Sequence, residues 1–173
     1  MVLMPPVDPT AKQTSAQRAA RAFGRTRFGT WLGRALLAPL EPRLIEATRG
    51  RVGLALSLPT LNLTTRGRKS GQPRTATLVY FTRGDDVVLI ASSFGRDKHP
   101  AWYLNLKADP HAELFSRGRR GFYVAREAEQ VERDEMFALA TILYAGYSQY
   151  QAGTERRIPV MILSPAPTGV TVA

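Results

Sequence analysis

After Gly53 the chain alternates between short runs rich in apolar and β-branched residues and polar turns that carry glycine. Leu56 to Thr65, Arg74 to Thr82, Val87 to Ser92, Ala112 to Ser116, Gly121 to Arg126 and Ile158 to Leu163 have the length and content of strands, and RGRKSGQP, RGDD and SRGRRG read as turns between them. Two stretches switch to a helical period. One starts at Pro100, a residue favoured in a first helical turn, and runs to about Ala108. The other spans Glu132 to Leu143, where Met136, Leu139, Ala140 and Leu143 fall at i, i+3, i+4 and i+7. Strands joined mainly by hairpins, with few helices, predict an antiparallel, barrel-like α+β domain of about six strands.

The first third has a different texture. From Thr14 to Leu37 a helical pattern puts Phe23, Trp31, Leu32, Ala35 and Leu36 on or near one side and arginines on the other, weakened by Gly24, Gly29 and Gly33. A second short helix, about Glu41 to Thr48, is expected after Pro39. Residues 1–56 hold nine basic residues against Asp8, Glu41 and Glu46, so +6 of the net +10 lies there. The 14–56 segment therefore reads either as a helix pair covering a core edge or as an amphipathic basic anchor on anionic lipid, and the two are compatible. Residues 1–13 read as a flexible N-terminus without a secretory pattern, 57–165 as the barrel and 166–173 as a loose tail. Two charge-free windows, Val52 to Thr65 and Ile158 to Ala173, are too short or too broken by proline to cross a bilayer. The expected location is cytoplasmic, or peripheral on the inner face of the cell membrane.

A chain of 173 residues, 44% hydrophobic and 22% charged, fits one ordinary globular domain with no room for a second. Its charge narrows the partners. Twenty-four Lys and Arg against 14 Asp and Glu favour an anion: nucleic acid, an acidic membrane or a multiply charged small molecule. The absence of cysteine excludes a disulfide scaffold, an iron–sulfur cluster, a thiolate zinc site and a Cys nucleophile.

Three segments carry candidate chemistry. The loop from Arg66 to Arg74 presents Arg68, Lys69, Ser70 and Arg74, with Gly67 and Gly71 allowing close approach of backbone N–H groups to an anion. It lacks the glycine before lysine that a Walker A loop needs, and a solvated basic hairpin is the plainer alternative. Ala91, Ser92 and Ser93 leave a strand, and beyond them Trp102 and Asn105 share a helix face that offers an aromatic plane and an amide to a planar ligand, or that simply packs the helix. Tyr144, Tyr147 and Tyr150, where the last helix is expected to end near Gly146, suit a pocket wall or a core stripe. His99 and His111 have no partner at ligand spacing, so no metal site is expected. With no nucleophilic triad or carboxylate dyad, reactivity must come from a cofactor.

Taken in order, LTTRGRKSGQPRTATLVY, IASSFG, HPAWYLNLKADP and YAGYSQYQAGTERRIPV resemble the deazaflavin-dependent nitroreductase and quinone reductase family, split β-barrel proteins that use coenzyme F420, an 8-hydroxy-5-deazaflavin. The similarity runs from about Leu58 to Pro165. It implies that Arg68, Lys69, Ser70 and Arg74 hold the cofactor's phosphate and polyglutamyl tail, that Ala91 to Ser93 run beside the ring, that Trp102 and Asn105 support it, and that Tyr144, Tyr147 and Tyr150 border the acceptor. The implied reaction is hydride transfer from the reduced deazaflavin C5 to a quinone or nitro compound, with Tyr147 bonding the acceptor oxygen. Thr77, Ser93 and Phe94 stand where proline, lysine and glycine are common in the family, which leaves acceptor choice open. The alternatives are an FMN-binding split-barrel reductase and a basic nucleic-acid-binding module, although no helix-turn-helix, zinc or RNP signature supports the latter.

Overall fold

The computed structural model describes residues 3–11 and 58–167 of the chain. The two N-terminal helices expected over 14–37 and 41–48, and the proposed lipid anchor with them, lie outside the described residues.

Six strands are present where the alternation places them: β1 (Thr60–Arg66), β2 (Pro73–Arg83), β3 (Asp86–Ile90), β4 (His111–Ser116), β5 (Arg119–Glu127) and β6 (Val160–Pro165). They close into a barrel in the order β1-β2-β3-β6-β5-β4, and every neighbouring pair is antiparallel. Three helices interrupt them: α1 (Ala101–Ala108), α2 (Gln130–Leu143) and α3 (Gly146–Ala152). The link from β4 to β5, four residues long in the sequence reading, is only two, Arg117 and Gly118. Arg117 and Gly118 both take positive φ, 48° and 77°, the requirement of a two-residue hairpin whose twist matches its strands. Pairing consequently extends back to Arg119.

Period-two alternation sorts the strand side chains into two cores. Leu61, Leu63, Tyr80, Val87, Leu89, Leu114, Tyr123, Met161 and Leu163 fill the barrel interior, joined by Trp102, Tyr103 and Leu106 of α1. Phe81, Val88, Ile90, Val160 and Ile162 point the other way and pack under Met136, Phe137, Ala140 and Leu143 of α2 and Tyr147 of α3. β3 and β6 are therefore buried on both faces, which explains their unbroken apolar runs, VVLI and VMIL.

Several boundaries differ from the sequence reading for identifiable reasons. The strand expected to start at Ile158 begins at Val160, because the Ile158 carbonyl accepts from Arg133 Nε and Nη2 (2.9 and 2.7 Å) and its N–H donates to Gln151 Oε1 (3.0 Å). Arg133 is buried and stacks over Phe137 at 4.2 Å, and this cation, satisfied by the Ile158 carbonyl, the Gln151 amide oxygen and the Asp134 carboxylate, ties α2 to the entry of β6. The N-terminus expected to be flexible is, over residues 3–11, packed against the barrel. Met4 is buried and its N–H donates to the Tyr123 hydroxyl (3.0 Å), Tyr80 donates to the Pro5 carbonyl (3.1 Å), and the Thr82 N–H reaches the Val7 carbonyl (3.0 Å). Two interior tyrosines thus find hydroxyl partners in a segment whose sequence reads as irregular. The expected loose tail is docked at its start, where Ala166 is buried and donates to the Phe122 carbonyl (2.9 Å).

Glu132, in the first turn of α2, bridges two strands by accepting from Arg83 of β2 (2.6 Å) and from both terminal nitrogens of Arg126 of β5 (2.6 and 2.8 Å). The hydrogen bonds from Arg126 and then Arg83 push its pKa down to about 2. A depressed carboxyl contributes stability above its unfolded pKa and loses it as pH falls through the folded one. The network is therefore expected to weaken between about pH 4.5 and pH 2. Because these charges are partly exposed and solvent-screened, Glu132→Gln should cost only about 1 kcal/mol at pH 7. Thermal melts of both proteins from pH 7 to pH 2 should show the difference shrinking toward zero at the acid end.

Candidate active site

The register places four sequence segments at one end of the barrel. The end of β1, the start of β2, the end of β3, the start of β4, the end of β5 and the start of β6 all meet there. The basic loop connects β1 to β2, the serine pair follows β3, α1 precedes β4, and the tyrosines precede β6. Residues 3–11 contact the opposite end, through Thr82 and Arg119. The functional end is thus defined by topology before any side chain is considered.

A pocket of about 340 Å³ is lined by Thr65, Gly67, Arg68, Lys69, Ser70, Arg74, Thr75 and Ala76 from the β1–β2 hairpin and by Ala101, Trp102 and Asn105 from α1. The structure therefore brings together the expected tail-binding residues and the expected ring supports. Asn105 is only 5% exposed and makes the join: its Oδ1 accepts from the Arg68 N–H (3.2 Å) and its Nδ2 donates to Thr65 Oγ1 (3.1 Å). Its side chain is fully engaged in holding the loop against the helix. Ser70 Oγ accepts from the Gln72 N–H (3.3 Å) and from Arg74 Nη2 (3.5 Å), while the Gly71 N–H closes the turn onto the Gly67 carbonyl (2.7 Å). Among the described residues, the side chains of Arg68, Lys69 and Arg74 form no ion pair, and all three are exposed beside the pocket. Uncompensated cations around a concavity with turn N–H groups suit a multiply anionic ligand tail.

The strand expected to run to Ser92 ends at Ile90. Ala91 is buried, Ser92 and Ser93 are half-buried, and Ser93 to Gly95 form a single 3-10 turn whose residues take positive φ: 51°, 57° and 74°. Arg156 holds this segment, and the sequence reading passed over it. Its Nη2 donates to the carbonyls of Ala91 (3.1 Å) and Ser92 (2.7 Å), its Nε to the Arg96 carbonyl (2.8 Å) and its Nη1 to His99 Nδ1 (3.4 Å). Burial, then the positive charge of Arg156, pulls His99 below its usual pKa, consistent with a neutral ring that accepts at Nδ1. His99 also stacks on Tyr103 at 4.7 Å. The available signal for Arg156 was an arginine four residues before the β6 apolar run; only tertiary contact gives it carbonyl partners.

His111 is not solitary. Its Nδ1 lies 2.8 Å from Asp109 Oδ1, and that hydrogen bond is the main cause of the lowered Asp109 pKa. No group of three or more potential metal ligands occurs among the described residues.

The tyrosines do not continue α2, which stops at Leu143. Tyr144 is extended, and Tyr147 and Tyr150 sit on the separate α3. Their rings form a triangle with centroids 5.4, 6.1 and 6.2 Å apart, and the Tyr144 and Tyr150 hydroxyls share a hydrogen bond of 3.3 Å. Tyr147 is the most buried, and its hydroxyl has no hydrogen-bond partner among the described residues. Burial, with a smaller contribution from Tyr144, raises its pKa well above the ordinary tyrosine value; burial and the bond to Tyr144 do the same for Tyr150. These hydroxyls stay protonated at neutral pH and act as hydrogen-bond donors.

Comparison with known proteins agrees with this geometry. The family model described as F420H(2)-dependent quinone reductase matches residues 40–165. An F420H(2)-dependent quinone reductase of Mycobacterium tuberculosis is 35% identical over 143 residues, covering 78% of this chain and 95% of the relative. Among solved structures, an F420-H2 dependent reductase is 36% identical, with a TM-score of 0.58 over 61% of this chain and 94% of the other. Another, described as a domain-swapped dimer, is 31% identical, with a TM-score of 0.59 over 71% and 95% of the two chains. The match covers the barrel strands, the cation-lined pocket and the tyrosine triangle, and the chain belongs to the F420H(2)-dependent quinone reductase family.

Proposed function

We propose that this chain is an oxidoreductase that passes a hydride from reduced coenzyme F420 to a quinone, with nitro compounds as further acceptors. The observation that carries the reading is the pocket in which three cations with no ion pair among the described residues, turn N–H groups and the Trp102 face converge. A cofactor with a phosphodiester and several carboxylates suits that set of donors better than a flavin mononucleotide does.

In this reading Arg68, Lys69 and Arg74 bind the anionic tail, and Ser70 and Gly71 shape the turn that presents them. Asn105 fixes the loop to α1, beside Trp102, which supports the ring. Ala91, Ser92 and Ser93 line the ring's edge through backbone that Arg156 keeps in place. The chemistry supplied by the bound cofactor is a two-electron hydride donated from C5. Tyr147 donates a hydrogen bond to the acceptor oxygen as negative charge develops there, and its raised pKa keeps the proton available. Tyr144 and Tyr150 wall the acceptor. Anaerobic turnover with reduced coenzyme F420 and menadione tests the reading: oxidation of the deazaflavin in step with quinone reduction is expected, and no turnover overturns it.

The same proposal includes attachment of the 14–56 segment to an anionic membrane surface, motivated by its +6 charge excess over 1–56 and its interspersed Phe and Trp. Among the described residues no helix is long and apolar enough to cross a membrane. Full-length protein is expected to float with phosphatidylglycerol-containing vesicles at moderate salt and to stay behind with phosphatidylcholine alone. Equal behaviour with both vesicles rules the anchor out.

A further inference from the structure

We propose that Gly146 positions the acceptor site: by carrying no side chain it seats the ring of Tyr144 against Tyr147 and Tyr150, and so fixes the wall that holds a quinone. This deepens the quinone reductase reading above and rests on it.

Gly146 is buried and is the first residue of α3. Its backbone does not call for glycine, since it lies in a helix and is not among the residues at positive φ. What glycine alone supplies is room. A Cβ at 146 would lie 2.4 Å from Cε1 and Cζ of Tyr144 and 2.6 Å from its hydroxyl oxygen. The Tyr144 ring therefore lies across the place where any other side chain would begin. Alanine forms helix better than glycine, so glycine brings α3 nothing but this seat.

The backbone here is held on both sides of the seat. The Tyr144 N–H donates to the Ala140 carbonyl (2.8 Å), the Tyr144 carbonyl accepts from the Tyr147 N–H (3.2 Å), and the Ser148 N–H donates to the Ala145 carbonyl (3.2 Å). The Tyr144 side chain is held more weakly. It is half-buried, shares one long hydroxyl hydrogen bond with Tyr150 (3.3 Å) and stands edge-on to Tyr147, with centroids 5.4 Å apart and planes at 86°. A side chain at 146 would thus displace the ring rather than the helix, and displacing it opens two sides of the triangle at once. The consequence falls on Tyr147, which is only 6% exposed and whose hydroxyl has no hydrogen-bond partner among the described residues. A buried donor left unmatched by the fold is a donor for a bound acceptor, and the Tyr144 ring is part of the wall that aims it.

The test compares wild type with Gly146→Ala, Tyr144→Ala and the double variant. Each is melted, titrated with oxidised coenzyme F420, and then titrated as that complex with menadione, whose binding is read from quenching of the deazaflavin fluorescence. Gly146→Ala should keep the wild-type melting temperature and bind the cofactor within about 2-fold, but bind menadione about 3- to 10-fold more weakly, the scale of one aromatic contact. With reduced cofactor the same loss should appear in KM for menadione. Tyr144→Ala should show an equal or larger loss. Adding Gly146→Ala to it should change menadione binding by less than about 2-fold, because a Cβ at 146 then has no ring to displace. Losses that multiply in the double variant overturn the positioning role, and so does a Gly146→Ala protein with wild-type affinity for menadione. A Gly146→Ala protein that unfolds while the double variant folds overturns it too, since the ring is then unable to yield. A wild type that neither binds nor reduces menadione overturns instead the function on which the inference rests.

Discussion

Replacing Arg68 and Lys69 together with alanine is expected to weaken binding of oxidised coenzyme F420 by about 10²- to 10⁴-fold at low salt. Each charged hydrogen bond to an anion contributes about 1.5 to 3 kcal/mol, and each 1.4 kcal/mol is tenfold in affinity. The fold should be indifferent to the change, since both side chains are exposed and neither pairs with a carboxylate among the described residues. The contact that anchors the loop, from the Arg68 N–H to Asn105 Oδ1, belongs to the backbone and survives the substitution. Fluorescence titration with matched thermal melts separates the outcomes. The wild-type affinity should fall with salt more steeply than that of the double variant, as fewer charges remain to be screened. Unchanged affinity in a folded variant makes the loop a solvated turn.

Tyr147→Phe is expected to lower quinone turnover by ~10²-fold or more, the scale of removing one oriented donor, while cofactor affinity holds. Stability should not fall with it. A tyrosine whose hydroxyl gives the fold a hydrogen bond loses stability when that hydroxyl is removed, but the Tyr147 hydroxyl is buried without a partner among the described residues, so its removal sheds a desolvation cost. Phe fills the same ring volume against Phe137 and Tyr144. A variant with full turnover and a lowered melting temperature makes Tyr147 a core residue and removes its role toward the acceptor.

The barrel was legible because its strands obey a period of two and its turns carry Gly and polar residues, so six strands could be expected along the chain, with Leu61, Leu63, Val87, Leu89, Met161 and Leu163 among their inward positions, whereas the order in which they pair could not. The two-faced burial of β3 and β6 leaves a mark in their unbroken apolar runs that the strand assignment alone did not use. The cation-lined pocket was legible as composition, since Arg68, Lys69, Ser70 and Arg74 are adjacent in the chain. What pins it is not, because Asn105 reaches Arg68 across 37 positions. Arg156 and Arg133 were missed for the same reason: each bonds backbone carbonyls contributed by distant elements, and carbonyls leave no mark in sequence. The packed 3–11 segment escaped notice because its docking depends on the hydroxyls of Tyr80 and Tyr123, interior residues that read simply as strand aromatics. The end of the helix at Leu143 was legible, but not the restart at Gly146, which places Tyr147 and Tyr150 on a separate helix and gathers the rings into a triangle rather than a stripe.

The most direct measurement is a pair of equilibrium titrations of the purified full chain, one with oxidised coenzyme F420 and one with FMN, followed by cofactor fluorescence at the same ionic strength. The three exposed cations of the pocket suit the longer, more highly charged tail, so the deazaflavin is expected to bind clearly tighter and to lose more affinity as salt is raised. Tighter binding of FMN would contradict the assignment and place the chain's chemistry with flavin.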